Sequence, residues 1–129
     1  MEELWRLSAA EMAAGIRERT FSATEVADSV LNRVAEKNPE LNAITVEFPE
    51  QVQAAATAAD DALANGEQVG ALHGVPVTIK ENIDVAGQAT PNGVPAFADL
   101  MAYEDAPLVK NLRDAGAIVI GRTNVPEFS

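Results

Sequence analysis

"GVPVTIKENIDVAG", residues 74–87, runs from an apolar, β-branched segment directly into polar and turn-forming residues, with one lysine at the junction. Side chains alternate along a strand, so Val75, Val77 and Ile79 share one face while Pro76, Thr78 and Lys80 share the other. The downstream residues decide the kind of sheet. After "ENIDVAGQATPNGVPAFADLMAYE", residues 81–104, Asp105 is a candidate cap for a helix "APLVKNLRDA", residues 106–115, which Gly116 would close. "AIVIG", residues 117–121, is then apolar at every non-glycine position, the pattern of a strand covered on both faces. Strand, helix and strand in this order predict a parallel pair joined by a right-handed crossover.

Upstream, the chain begins with helices. "SAAE" at 8–11 and "SATE" at 22–25 have the capping-box form, in which serine and glutamate satisfy each other's free backbone N–H groups. In the second helix Val26, Val30, Leu31 and Val34 recur at helical spacing, and Asn38 and Pro39 are expected to stop it. "NAITVEF" at 42–48 reads as a strand, and "PEQVQAAATAADDALANG" at 49–66 as an alanine-rich helix between Pro49 and Gly66. The expectation is one α/β domain over 1–129: a helical part, 1–41, then alternating strands and helices, 42–129.

This layout gives Lys80 an address. Ligands of open α/β sheets bind beyond the carboxyl ends of the parallel strands, which is where Lys80 stands. Segment 81–104 is longer than an ordinary connection, and such segments are functional or disordered; this one could cover the amine.

Composition narrows the function classes. The net charge is -11, with 13 acidic and 5 basic residues in 1–70 against 7 and 4 in 71–129. A phosphate backbone is repelled by such a chain, and no Lys/Arg cluster recruits anionic lipid, so neither nucleic acid nor membrane is an expected partner. Cysteine is absent, which excludes disulfides, thiolate nucleophiles and zinc-thiolate sites. The start "MEELWRLSAAEM" lacks the basic and apolar regions of a signal peptide, and no apolar run reaches membrane-spanning length; the expected location is cytoplasmic. No cofactor or metal site is expected.

Two segments, "GVPVTIKENIDVAG" and "DAPLVKNLRDAGAIVIGRTNVPEF", resemble the N-terminal half of the amidase signature region. That family contains hydrolases of carboxamides and the glutamine amidotransferase subunit that supplies ammonia for transamidation. The resemblance runs from about Gly70 to Phe128, and it implies a partial amidase-type sheet flanked by helices. It also implies that Lys80 is the lysine of a Ser-cisSer-Lys triad. A lysine works as a base only when neutral, which requires its pKa to fall from about 10.4 to roughly 7 to 8, and desolvation is the usual cause. By the same resemblance the nucleophilic serine lies in a GGSSGG-like stretch beyond "TNVPEF", and neither family serine is among these 129 residues. Ser8 and Ser22 are candidate caps, Ser29 lies inside a helix, and Ser129 is the last residue.

Other residues read as structural. His73 stands alone in a glycine-flanked loop, Asp60 and Asp61 read as solvated charges, "GRTNVP" lacks the glycines of a dinucleotide site, and "TPNGVP" at 90–95 is turn chemistry. Two functions are therefore expected. The first is an amidase-family hydrolase of carboxamide C–N bonds, represented by an N-terminal piece that is inactive without a complementing serine-bearing segment and acts with it on a small-molecule amide. The second is a self-sufficient, non-catalytic α/β binding or interaction module. An uncovered edge or face at "AIVIG" is further expected to drive homo-oligomer formation.

Overall fold

The computed structural model describes residues 3–129. A 3₁₀ turn at Leu4–Arg6 leads into helices α1 (Ala9–Arg17) and α2 (Ala23–Leu41), strand β1 (Ile44–Glu47) and helix α3 (Pro49–Ala64). Beyond them lie strand β2 (Pro76–Lys80), a 3₁₀ turn at Pro95–Phe97, helix α4 (Pro107–Asp114) and strand β3 (Ile118–Thr123). The architecture is the mixed α/β arrangement that the sequence predicts.

Both capping boxes form. Ser8 Oγ accepts from the Glu11 N–H at 3.1 Å and Glu11 accepts from the Ser8 N–H at 2.7 Å; Ser22 and Glu25 repeat the exchange at 3.0 and 2.7 Å. Ser29 Oγ accepts from the backbone N–H of Trp5, and the guanidinium groups of Arg6 and Arg33 lie over the Trp5 ring, 4.4 and 4.2 Å from its centroid. That stack clasps the first turn to α2.

Helix α2 runs past the expected stop. Pro39 lies inside its last turn, where a missing N–H removes only one bond, and the helix ends instead at Asn42, in the left-handed region at φ 50°. Asn38 acts differently from a helix breaker: its side-chain amide donates to the Ile44 carbonyl at 2.8 Å and accepts from the Ile44 N–H at 2.9 Å. The end of α2 is thereby stitched to the start of β1.

The helix before β3 also departs from expectation. Its cap position is Ala106, with no side-chain cap, because Pro107 at the first helical position needs no N–H acceptor. Asp105 stands one residue too early. Its carboxylate accepts from the Ala86 N–H at 2.8 Å and pairs with Arg113 Nε at 3.1 Å, which ties segment 81–104 to α4.

The sheet has the order β1-β3-β2, with β2 parallel and β1 antiparallel to β3. β3 is therefore the central strand, and the expected open edge at 117–121 does not exist. Its faces are closed as well. Ile118 and Ile120 join Ile16, Val26, Val52 and Ala56 in a core beneath α1, α2 and α3, while Val119 packs with Ile79, Val85 and Val109 on the other side. Val75 falls in the first of these clusters and Ile79, with Val77, in the second, so Val75 does not share their face as the alternation predicts: it precedes β2, which begins at Pro76.

Asp60 is not a solvated charge. From α3 its carboxylate accepts from the N–H groups of Ala23 and Thr24, at 2.7 and 3.1 Å, and from Thr24 Oγ1 at 2.7 Å. These are free donors of the first turn of α2, and a carboxylate there also suits the helix dipole. Asp61 is exposed, as expected. Asp60→Ala should destabilise the chain by about 2 kcal/mol, and Asp61→Ala by less than about 0.5 kcal/mol; urea unfolding of the two variants measures the contrast.

Candidate functional site

Lys80 ends β2, opposite Thr123 of β3, at the carboxyl end of the parallel pair. Its carbonyl accepts from the Ile83 N–H at 3.0 Å, closing a tight turn, and the Glu81 N–H donates to the Thr123 carbonyl at 3.0 Å. The backbone on both sides of the lysine is therefore held. The side chain is exposed.

Segment 81–104 is ordered but does not cover the amine. Gly87 and Ala102, Ala102 and Gln88, and Thr90 and Leu100 are joined by backbone hydrogen bonds of 2.9 to 3.0 Å, so the segment doubles back on itself as a narrow hairpin. Thr90, buried, donates to Asp84 at 2.7 Å across its base. Beside that pair lies an open depression of about 440 Å³ lined by Asp84, Thr90, Asn92, Leu100, Met101 and Tyr103. The Tyr103 ring is fully exposed, and Leu100 and Met101 are more than half exposed. Asn92 and Gly93 take the positive φ values that their turn chemistry predicts, 53° and 74°.

One residue that sequence reasoning missed organises this region. Arg122, in β3, is 1% exposed, and burial lowers its pKa against the opposing pull of Glu81 and Asp84. Its guanidinium donates to three backbone carbonyls: Ile83 at 2.6 Å, Ala89 at 2.9 Å and Lys80 at 3.3 Å. Nε has no partner. The position arises from irregular pairing: Val77 faces Val119 but Thr78 faces Gly121, so Ile120 is an extra residue on β3. A bulge of this kind redirects the side chains beyond it, and here it places Arg122 opposite Ile79. On the β1 side Thr45 falls between the paired residues Ile44 and Val46, and its hydroxyl donates to Glu81 at 2.7 Å. The available signal was an arginine directly continuing "AIVIG", a strand otherwise apolar on both faces.

His73 is structural. Its Nε2 donates to the Ala59 carbonyl at 2.8 Å, anchoring the loop before β2 to α3. Gly116 sits against it at φ 96°, and a Cβ there would lie 2.7 Å from His73 Cα. Among the described residues no group of three or more His, Asp or Glu side chains could hold a metal ion, and no helix is long and apolar enough to cross a membrane.

Comparison with known proteins agrees with this geometry. The profile of the Amidase family matches residues 25–129. The chain is 51% identical over 126 residues to an indoleacetamide hydrolase of Bradyrhizobium diazoefficiens, covering 98% of this chain and 24% of that protein. It is 40% identical to an acylamidase of Rhodococcus erythropolis, over 98% of this chain and 26% of the relative. Among solved structures, the peptide amidase of Stenotrophomonas maltophilia superposes with a TM-score of 0.87 at 31% identity, over 99% of this chain and 27% of its own. The chain thus spans about a quarter of the length of the relatives it matches.

An exposed side chain outside both cores contributes little to folding. Lys80→Ala should shift the free energy of unfolding by less than about 0.5 kcal/mol, whereas Thr90→Val, which strips Asp84 of a buried donor, should cost about 1 to 2 kcal/mol. Denaturant titration of both variants checks the difference.

Proposed function

We propose, from the premise that this chain belongs to the amidase family, that it contributes the lysine base to the hydrolysis of a carboxamide C–N bond. The observation that carries this reading is the address of Lys80: the carboxyl end of a parallel strand, with its backbone fixed on both sides and its amine free of structural partners among the described residues. An exposed amine at the end of a rigid strand is what a composite active site needs, because a second segment can then desolvate it on contact.

The chemistry derives from the triad that the family resemblance implies. A serine hydroxyl on the complementing segment attacks the amide carbonyl, while its proton passes through the bridging serine to neutral Lys80. The tetrahedral intermediate collapses, the C–N bond breaks, and the lysine's proton returns through the bridge to the leaving amine. Water repeats the sequence on the acyl-serine, releasing the carboxylic acid and restoring the enzyme. Residues 1–129 supply the base and its scaffold. The nucleophile, the bridge and the oxyanion donors belong to the serine-bearing segment, so the 129 residues alone lack covalent catalysis and charge stabilisation.

Residues 1–129 should release no ammonia or amine from a panel of aliphatic and aromatic amides. Joined to the serine-bearing remainder of an amidase relative, they should turn over, and Lys80→Ala should then reduce kcat by about 10²- to 10⁴-fold. Turnover by the 129 residues alone, or full activity of the joined Lys80→Ala protein, overturns the assignment.

A further inference from the structure

We propose that Arg122 is a positioning residue for Lys80, acting through the backbone and not through contact with substrate. The inference rests on the proposed role of Lys80 and extends it to a second residue. Three observations converge on it. Arg122 is buried at the position next to the partner of Lys80 on β3, brought to the Ile79 side by the extra residue Ile120. Its guanidinium reaches the carbonyl of Lys80 itself, the carbonyl of Ile83 at the end of the turn after it, and the carbonyl of Ala89 in the outgoing arm of the hairpin. One cation therefore joins the last strand residue, the turn and the outgoing arm of the hairpin.

The third observation is the cost of the arrangement. A buried guanidinium is desolvated, and Nε has no acceptor among the described residues, a cost offset only by the hydrogen bonds to the three carbonyls, two of which have no other donor among the described residues. What methionine or leucine cannot do is draw three carbonyls to one point, and a planar fork of N–H donors does so with fixed geometry. Holding the base in place matters because a displacement of about 1 Å at a catalytic group can cost roughly a hundredfold in rate.

The test uses Arg122→Met, which keeps packing volume, and Arg122→Lys, which keeps charge but has no fork. In residues 1–129, hydrogen exchange at the Glu81 and Ile83 amides should accelerate in both variants, while exchange at the core amides of Val26 and Ala56 stays unchanged. In the joined enzyme, kcat should fall about 10- to 100-fold with KM altered less than about twofold, Lys acting better than Met. On a Lys80→Ala background the Arg122 substitutions should cost nothing further, because the residue they position is gone. Unchanged exchange at Glu81 and Ile83 overturns the proposal, as does unchanged kcat where Lys80→Ala is inactive, a result that leaves the role of Lys80 standing. A multiplicative loss on the Lys80→Ala background also overturns it and marks Arg122 as a purely structural residue. Should Arg122→Met fail to fold, Arg122→Lys carries the same comparisons.

Discussion

A strand with apolar side chains on both faces must be enclosed above, below and along both edges, and β3 imposes that requirement on the rest of the chain. β1 and β2 take its two edges, α1, α2 and α3 cover one face, and α4 with the loop after β2 covers the other. Gly121 marks how closely the edge is taken, since a Cβ there would lie 2.6 Å from the Val46 carbonyl oxygen. The helices are in turn fixed by side chains that reach across elements, with Asp60 binding α3 to the start of α2 and Asn38 binding the end of α2 to β1. Burial supplies the driving force, and these polar links select one arrangement among the ways of burying the same surface.

Arg122 is where the enclosure is interrupted by charge. One residue before its end, β3 carries a buried cation that gathers carbonyls from Lys80 and from the segment after it. The loop's order thus originates in the sheet. The proposed role of Lys80 would give that order a use, because a lysine base works only where its amine meets a relayed proton at hydrogen-bond distance. The strand fixes the backbone at Lys80, while the side chain itself stays exposed.

The parts of the fold legible in the sequence are those written in local chemistry. Capping boxes at Ser8 and Ser22, proline at the start of α3, glycine after α4 and the shared side of Val77 and Ile79 in β2 each act over a few residues, and each lies where expected. The misreadings concern partners distant in sequence. Asp60 reads as a surface charge because its three donors lie 36 and 37 residues away, and Asp105 reads as a cap for α4 because its acceptor role toward Ala86 is invisible locally. The edge assignment of "AIVIG" fails for the same reason: antiparallel pairing with β1 spans most of the chain, and no periodicity announces it. Of the site, Lys80 stands out through its place in a motif; Arg122 does not, because the bulge that aims it inward is a property of pairing.

The pairing order also governs how the chain is made. β1 and β2 do not touch each other in the sheet; each bonds only to β3, the last strand of the three to leave the ribosome. Until residues 118–123 emerge, β1 and β2 both have unsatisfied edges and half-covered apolar faces, while α1, α2 and α3 can already associate around Val26, Val52 and Ala56. The nascent protein is therefore a helical cluster trailing two unpaired strands, the state in which a sheet is most open to wrong partners. Pairing of β3 with both gives the three-stranded sheet, and the same event first brings Arg122 to the turn after Lys80.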